Sequence, residues 1–266
     1  MRAAVNTVTN ARFTMDYCKF GEGDGIFVII PGISIKSVMD SANAVAGQYK
    51  DMASDYTIYV FDRRKDLPDT YTIRDMARDT AEAMMELGLK GVNLFGASQG
   101  GMISMVIAIE YPELVSHLVL GSTASDLTDC SSVVLDWIRM AEEKDVTGLC
   151  RSFGEKVYPA EFYEKFKDAF DALAAMVTDE DLRRFLIIAK GCEGFNVTGD
   201  LNKIKCPVFV LGAADDAVLG SAPTDAIMAA FDGREDVYCH VYDGYGHAAF
   251  DMAPDYRDRI KDFLRK

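Results

Sequence analysis

The stretch that decides the fold reads Leu94-Phe95-Gly96-Ala97-Ser98-Gln99-Gly100-Gly101. It has the form of a strand end, a tight turn and a helix start, with Ser98 at the apex. Such a strained turn leaves almost no room two residues before and two residues after its apex, and Gly96 and Gly100 occupy those positions. The turn would place the Ser98 hydroxyl at the positive end of a helix, where developing negative charge is favoured. The stretch therefore predicts a serine that attacks carbonyl groups.

The residues on either side of the turn favour this interpretation over a glycine-rich loop with an incidental serine. Residues 91–95 form a short apolar run suited to a buried parallel strand. After the serine, apolar residues recur at helical spacing until Tyr111-Pro112 ends the helix. A strand, a tight turn and a helix in this order are the context that the serine motif requires.

The composition is that of a globular protein with an acidic surface. Apolar residues make up 49% of the 266 residues and charged residues 26%, which suits one large α/β unit. The 42 acidic and 28 basic residues give a formal charge of −14. Because such a surface repels phosphate backbones and anionic membranes, we expect no nucleic-acid and no membrane partner. The composition leaves open whether the chain forms a homo-oligomer.

The chain shows no targeting, metal-binding or cofactor-binding signal. Residues 1–7 lack the apolar region of a signal peptide, and no apolar run is long enough to span a bilayer, so a cytoplasmic location is expected. The six cysteines lie far apart, without a histidine at metal-ligand spacing, which predicts buried reduced thiols and no metal. They are Cys18, Cys130, Cys150, Cys192, Cys206 and Cys239. The glycine-rich loop at residues 21–25 precedes a strand and not a helix, so it does not predict a nucleotide site.

Strand and helix patterns alternate along most of the chain. The predicted strands lie at residues 11–20, 26–30, 57–61, 91–95, 115–121, 207–212 and 237–242, and the predicted helices of the core at 72–87, 102–109 and 256–263. This alternation predicts right-handed crossovers and a mainly parallel central sheet flanked by helices, with ligands at the carboxyl ends of the strands. The charged residues at 62–68 are interpreted mainly as a solvated loop with ion pairs at that edge.

The alternation breaks between Ser122 and Cys206. About eighty residues separate two strands where a crossover needs about thirty, so an insertion is expected. Helical patterns at 133–142 and 162–173, and a third opened by Thr178, predict a helical cap at residues 125–202 on an α/β core of residues 1–124 and 203–266. Four apolar residues of this segment could line a pocket or form the cap's own core: Trp137, Met140, Phe153 and Tyr158.

A serine hydroxyl needs a histidine to take its proton and a carboxylate to orient that histidine. His117 and His240 fall within predicted strands, where a packed, hydrogen-bonded role is expected. His247 follows the last strand in a glycine-flanked loop and is the predicted base. Asp215 and Asp216 both follow a sheet strand at the edge that carries the serine. The chain order is therefore serine, acid, histidine.

With these residues the chain resembles the α/β-hydrolase-fold superfamily along nearly its whole length. The motifs that carry the resemblance are Gly-Ala-Ser-Gln-Gly-Gly at the serine, Leu-Gly-Ala-Ala-Asp-Asp at the acid and Gly-Tyr-Gly-His at the histidine. The resemblance implies an α/β-hydrolase fold with a helical cap. In that family the acid commonly lies three residues after the glycine that ends its strand, which gives the role to Asp215, with Asp216 as its neighbour. A minority arrangement would use Asp126 or Asp129, after the preceding strand.

The resemblance also implies an oxyanion hole made by the backbone N–H groups of Gln99 and Ile33. Many members of the family have His-Gly in the loop that carries the second donor, whereas this chain has Pro31-Gly32. The N–H of Ile33 survives that change, but the part that the histidine plays in holding the loop is missing. Ser34 would either supply a hydroxyl donor or be a plain loop serine.

These observations predict a cofactor-independent serine hydrolase that forms an acyl-enzyme on Ser98 and releases it with water activated by His247. Its expected partner is a small or medium-sized acyl substrate, namely an ester, a lactone or a thioester. A serine nucleophile disfavours the dehalogenase and epoxide-hydrolase chemistries of the fold, which use aspartate. Carbon–carbon bond hydrolysis, acyl transfer and lyase chemistry stay open, as does a non-catalytic ligand-binding or regulatory protein.

Overall fold

The computed structural model describes residues 2–129 and 131–266. Within these ranges the strands are β1 (Ala4–Thr9), β2 (Thr14–Phe20), β3 (Gly25–Ile30), β4 (Tyr56–Arg64), β5 (Val92–Ala97), β6 (Val115–Gly121), β7 (Asp126–Leu127), β8 (Phe195–Asn196), β9 (Val208–Ala213) and β10 (Val237–Tyr242). The α-helices are α1 (Ala42–Gln48), α2 (Ile73–Glu86), α3 (Gln99–Glu110), α4 (Ser132–Glu142), α5 (Val146–Val157), α6 (Ala160–Ala174), α7 (Asp179–Lys190), α8 (Ala222–Ala230), α9 (Ala249–Met252) and α10 (Tyr256–Phe263).

The central sheet has the strand order β1-β2-β4-β3-β5-β6-β9-β10. The six strands from β4 to β10 in this order pair in parallel, and β1 and β2 form an antiparallel edge. The fold predicted from the sequence, a mainly parallel sheet flanked by helices, is confirmed. In such a sheet the loops after β3, β5, β9 and β10 all emerge at one edge, which brings distant parts of the sequence together.

Both faces of the sheet are covered, which explains why its inner strands read as continuous apolar runs. Along β3, Val28 and Ile30 face the core formed with α2 and α3, whereas Phe27 and Ile29 face the core formed with α1 and α10. All four side chains are 5% exposed or less. The period-two alternation therefore sorts one apolar run into two separate cores.

Strand β4 is longer than its apolar run indicates. It continues to Arg64, so that Asp62 and Arg63 are strand residues with exposures of only 6% and 4%. The interpretation of these charges as mainly a solvated loop was therefore wrong for Asp62 and Arg63. The extended strand conformation continues beyond Phe61, so the side chains of Asp62 and Arg63 are buried beside the sheet and do not project into solvent.

Four helices, α4 to α7, lie between β6 and β9, and β7 pairs with β8 where the chain leaves and re-enters the sheet region. We call residues 132–190 the helical insertion. Its apolar side chains form a core shared with residues of the sheet-edge loops, in which the Trp137 and Phe153 rings lie 4.9 Å apart and Trp137 Nε1 donates to Ser152 Oγ. Trp137 is 2% exposed, so it serves this core. The division into a core domain and a cap at residue 125 stays a prediction.

The described cysteines differ in exposure. Cys18, Cys150 and Cys192 are buried as expected, whereas Cys206 is partly exposed and Cys239, on the edge strand β10, is exposed. The expectation of burial was therefore wrong for Cys239, and Cys130 lies outside the described residues. In the part of the chain that the structure describes, no helix is both long enough and apolar enough to cross a membrane.

Candidate active site

Ser98 lies between β5 and α3 in a strained backbone conformation, with φ 53° and ψ −123°. A positive φ is costly for a residue with a Cβ and persists only where the surroundings enforce it. Here the Ser98 N–H donates to Gly121 O at 2.8 Å, and Thr123 Oγ1 donates to Ser98 O at 2.7 Å. Both contacts come from the end of β6 and hold the serine at the edge of the sheet.

The two glycines around Ser98 are required by close packing. A Cβ at Gly96 would lie 2.3 Å from Gly100 O, and a Cβ at Gly100 would lie 1.9 Å from Ile30 O. Neither contact is compatible with a side chain. The spacing of glycine, serine and glycine thus follows from helix α3 starting directly against β3 and β5.

His247 and Asp216 form a buried pair at the same edge of the sheet. His247 Nδ1 lies 2.7 Å from Asp216 Oδ2, and the two residues are 3% and 8% exposed. The other carboxylate oxygen, Asp216 Oδ1, accepts from the N–H groups of Val218 and Leu219 at 2.8 and 2.9 Å. The carboxylate is thus fixed by the backbone, and it fixes the ring so that Nε2 is the nitrogen left for proton transfer.

The sequence predicted Asp215 as the acid beside His247, but the structure places Asp216 there. Asp215 Oδ2 accepts from the N–H of Gly246 at 3.0 Å, so it holds the loop that carries His247 and does not contact the ring. The physical reason is the length of β9, which ends at Ala213 and not at Gly212. Three residues beyond that end is Asp216. Adjacent side chains point in different directions, so only one of the two acids reaches the ring.

The loop after β3 lies directly against the serine. A Cβ on Gly32 would be 3.0 Å from Ser98 Cβ and 3.5 Å from Ser98 Oγ, so the backbone at Gly32 borders the Ser98 side chain. The Ser34 hydroxyl donates to Lys36 O at 2.7 Å. Because this hydroxyl already donates within its own loop, the bond favours a plain loop serine over a donor to the oxyanion.

Sequence reasoning missed the buried polar groups next to this loop. Arg63 Nη2 donates to Pro31 O at 2.8 Å and to Gln99 Oε1 at 2.9 Å. Burial lowers the pKa of Arg63 to about 10, although the neighbouring Asp62 raises it. Asp62 in turn accepts hydrogen bonds from Ser37 Oγ and from Arg184 of α7. The apolar pattern of the sequence ends at Phe61, so it gave no sign that β4 continues to Arg64.

The remaining candidates from the sequence lie elsewhere. His117 Nδ1 lies 2.9 Å from Asn93 Oδ1 within the sheet, and burial lowers the pKa values of both His117 and His240. Asp126 Oδ2 accepts from the Asn196 side chain across the β7–β8 ribbon. His117 thus has the packed, hydrogen-bonded role that was expected of it. His240 is partly exposed on the edge strand β10, where its ring packs against that of Tyr242 at 4.6 Å. His247 takes its carboxylate from Asp216 and not from the segment after β6.

The helical insertion contacts the loop that carries His247. The Ala248 N–H donates to Val157 O at 2.9 Å, and Tyr158 Oη donates to Asp251 Oδ2 at 3.4 Å. Burial raises the pKa of Asp251 to about 6. The end of α5 therefore anchors the histidine loop from above the sheet edge.

The structure brings His247 to Asp216, and it brings the loop containing Gly32 to Ser98. Among the described residues, no hydrogen bond joins Ser98 Oγ to the His247 ring. Catalytic hydrogen bonds are often longer in a ligand-free enzyme than in its complexes. No group of three or more His, Cys, Asp or Glu side chains in residues 2–129 and 131–266 is arranged to hold a metal ion.

The sequence model of the alpha/beta hydrolase fold family matches residues 27–254, which include Ser98, Asp216 and His247. The chain belongs to the alpha/beta hydrolase fold family. Two curated relatives are hydrolases by name. The putative carbamate hydrolase RutD of Rhizobium rhizogenes is 25% identical over 230 residues, which cover 83% of this chain and 87% of the relative. The human serine hydrolase BPHL is 26% identical over 147 residues, which cover 50% and 49%.

Solved structures of this family share the fold over the whole chain. An alpha/beta hydrolase enzyme, MGS-M2, from a deep-sea metagenome library has a TM-score of 0.84 at 18% identity and covers 98% of each chain. The enol-lactonase of Burkholderia xenovorans has a TM-score of 0.83 at 15% identity and covers 98% of this chain and 100% of its own. At these identities the likeness concerns the fold alone.

Proposed function

We propose that the protein is a serine hydrolase that cleaves a carboxylic ester, lactone or thioester of a small to medium-sized molecule through an acyl-enzyme on Ser98. The observation that carries the proposal is the strained backbone of Ser98, with φ 53°, at the sheet edge that also holds the His247–Asp216 pair. Strain of this kind persists where function requires a particular direction for a side chain.

In the acylation step, Ser98 Oγ attacks the substrate carbonyl carbon while His247 Nε2 takes the hydroxyl proton. Asp216 stabilises the resulting imidazolium through Nδ1. The carbonyl oxygen becomes negatively charged and is held by the backbone N–H groups of Ile33 and Gln99. His247 then donates its proton to the leaving alkoxide or thiolate, and the acyl group stays on Ser98.

In the deacylation step, His247 Nε2 removes a proton from water, which attacks the acyl carbon, and Ser98 leaves with that proton. The helical insertion acts as a cap in this proposal. Its apolar core includes Ile35 of the loop after β3, Val218 of the acid loop and Ala248 of the histidine loop. Apolar surface next to the reacting groups excludes bulk water and suits an apolar acyl group.

The names of the relatives support the same class of chemistry. A carbamate, like an ester, is cleaved at a carbonyl carbon, and the relative from Rhizobium rhizogenes is named a putative carbamate hydrolase. The human relative is named a serine hydrolase. A substrate screen for this protein therefore contains esters, lactones, thioesters and carbamates.

The test is intact-protein mass spectrometry after treatment with a fluorophosphonate, combined with turnover of p-nitrophenyl esters. We expect a single adduct on the wild-type protein and none on Ser98→Ala or His247→Ala. Ser116→Ala and His240→Gln are matched controls that keep the adduct. Ser116 Oγ bonds Val92 O near the start of β5, and His240 stands on the edge strand β10.

Each alternative gives a different result. Many cycles of ester hydrolysis support the proposal, whereas one slow covalent event favours a ligand-binding protein that retains the triad. If Ser98 forms the adduct but the protein cleaves only carbon–carbon bonds, it is a carbon–carbon bond hydrolase. If it turns over esters only when an acyl acceptor other than water is added, it is an acyltransferase. Absence of any adduct on folded wild-type protein contradicts the proposal.

A further inference from the structure

Arg63 connects two segments that the proposed mechanism places around the reacting carbonyl oxygen. Its Nη2 atom donates to Pro31 O at 2.8 Å and to the side-chain oxygen of Gln99 at 2.9 Å. Pro31 begins the loop that carries the Ile33 N–H, and Gln99 carries the second N–H. One nitrogen atom thus bridges the two segments that carry the proposed oxyanion-hole donors.

The bond to Pro31 matters because proline lacks an N–H group. Only the carbonyl of Pro31 is left to anchor the start of the loop, and Arg63 is the side chain that binds it. Gly32 follows, and a Cβ at this position would lie only 3.0 Å from Ser98 Cβ, so the loop backbone is close to the serine. A shift of the Pro31 carbonyl would therefore move the backbone next to the nucleophile.

The Gln99 side chain is fixed from its other end as well. Its Nε2 atom donates to Ile188 O of α7 at 2.8 Å and lies 3.2 Å from Cys192 Sγ. The oxygen of the amide faces Arg63 and the nitrogen faces the helical insertion. Gln99 is 1% exposed, so no water replaces these partners readily.

The charge on Arg63 is buried without a directly bonded carboxylate. Buried arginines are normally paired with acids. Within residues 2–129 and 131–266, the hydrogen-bond acceptors of the Arg63 guanidinium are a backbone carbonyl and a side-chain amide oxygen, and its Nε atom makes no hydrogen bond. The carboxylate of Asp62 is used instead by Arg184 and Ser37. A positive charge of this kind is stabilised most when a negative charge forms close by.

We infer that Arg63 is a positioning residue of the oxyanion hole. It holds the Pro31–Ile33 segment and Gln99 in a fixed relative position, and its guanidinium places a positive charge next to both. This inference rests on the proposed serine-hydrolase function. It assigns to Arg63 the anchoring of the loop for which the sequence offered no residue. The contribution is specific to the transition state, because the carbonyl oxygen carries its full negative charge only there.

The experiment compares Arg63→Met and Arg63→Lys with the matched control Arg234→Met. Arg234 also binds two backbone carbonyls, Ile204 O at 2.6 Å and Cys206 O at 2.8 Å, but at the amino end of β9. We expect Arg63→Met to lower kcat about 10- to 100-fold with a nearly unchanged KM. The affinity of a trifluoromethyl ketone, which binds as a charged tetrahedral adduct, should fall by the same factor as kcat/KM.

Arg63→Lys keeps the charge, but a single ammonium group does not reproduce the planar fork of arginine. We expect its kcat to lie between those of wild type and Arg63→Met. Arg234→Met should lower the melting temperature and leave kcat and inhibitor affinity unchanged. This control separates positioning from a general loss of stability.

The outcomes distinguish this inference from the proposed function. If the wild type turns over esters and folded Arg63→Met matches it in kcat and inhibitor affinity, only the inference is overturned. If Arg63→Met does not fold, Arg63→Lys decides, and a wild-type kcat in that variant overturns the inference. If the wild type shows neither turnover nor a fluorophosphonate adduct, the proposed function fails and the inference with it.

Discussion

Asp215 and Asp216 are adjacent in the chain and bind different parts of the histidine loop. Asp216 contacts the ring of His247 at 2.7 Å, whereas Asp215 accepts from the backbone of Gly246 at 3.0 Å. The first contact sets the tautomer and orientation of the base. The second holds the loop on which the base stands. In the proposed mechanism we therefore expect the two carboxylates to affect catalysis to very different extents.

We predict that Asp216→Asn lowers kcat on the order of 10⁴-fold, because an amide favours the wrong tautomer of the histidine. Asp215→Asn keeps an oxygen that accepts from Gly246 and should lower kcat less than about tenfold. Steady-state kinetics with a chromogenic ester measures both. A larger loss in Asp215→Asn than in Asp216→Asn would return the acid role to Asp215.

The sequence located the site residues to different degrees. Ser98 was predictable because steric crowding imposes glycines at fixed distances from it, and His247 because it is the histidine outside the predicted strands. The choice between Asp215 and Asp216 depended on where β9 ends, and strand ends are not fixed by apolar patterns. Arg63 was not predictable as a site residue, since a charged residue after an apolar run usually faces solvent.

Helices α2 and α7 begin with the same capping arrangement. Thr72 accepts from the Asp75 N–H and Thr178 accepts from the Asp181 N–H, and each aspartate bonds back to its threonine. Helix α2 packs on the sheet core, whereas α7 carries Arg184 and Ile188, which reach Asp62 and Gln99. The two helices allow one substitution to be compared in two positions.

We predict that Thr72→Ala and Thr178→Ala each lower the free energy of unfolding by about 1 kcal/mol, because each loses one side-chain cap. Only Thr178→Ala should also lower kcat, since fraying of α7 loosens the contacts of Arg184 and Gln99. Denaturant unfolding and ester kinetics on both variants measure these effects. Equal kcat values in the two variants would show that α7 does not act on the site.

The elements that the sequence did not predict have no clear apolar pattern of their own. Helix α2 was predicted because a capping box and a clear apolar stripe coincide there. The edge strand β1 exposes five of its six residues, and it forms because β2 offers it a ladder of hydrogen bonds. Such an element has no apolar pattern of its own, and it forms because it pairs with the neighbouring strand of the same hairpin.

On the scale of the whole molecule, the three layers meet at Asp251. Its carboxylate accepts from Tyr158 of the helical insertion, and it lies near Gln48 at the end of α1, near the His247 ring and near the guanidinium of Arg257 on α10. The order of strand and helix patterns along the sequence predicted the sheet and the insertion. It did not predict this junction, because its members are separated by long stretches of sequence and belong to different layers.

The final prediction concerns how this junction makes stability depend on pH. Burial raises the pKa of Asp251 from 3.8 to about 6, so the folded protein binds a proton here more readily than the unfolded chain. The stabilising contribution is therefore fully present below about pH 4 and is lost as the pH rises through about 6. Above that range the ionised carboxylate costs about 1 to 3 kcal/mol.

Asp251→Asn removes this ionisation and keeps an oxygen that accepts from Tyr158. We expect its melting temperature to exceed that of the wild type at pH 8 and to match it near pH 4. Asp255→Asn is the control. Although burial raises the pKa of Asp255, its hydrogen bond to Arg259 lowers it overall, so this substitution should destabilise the protein at neutral pH. Thermal melts of the three proteins between pH 4 and 8 measure these differences, and a constant offset for Asp251→Asn across that range would mean that Asp251 does not titrate there.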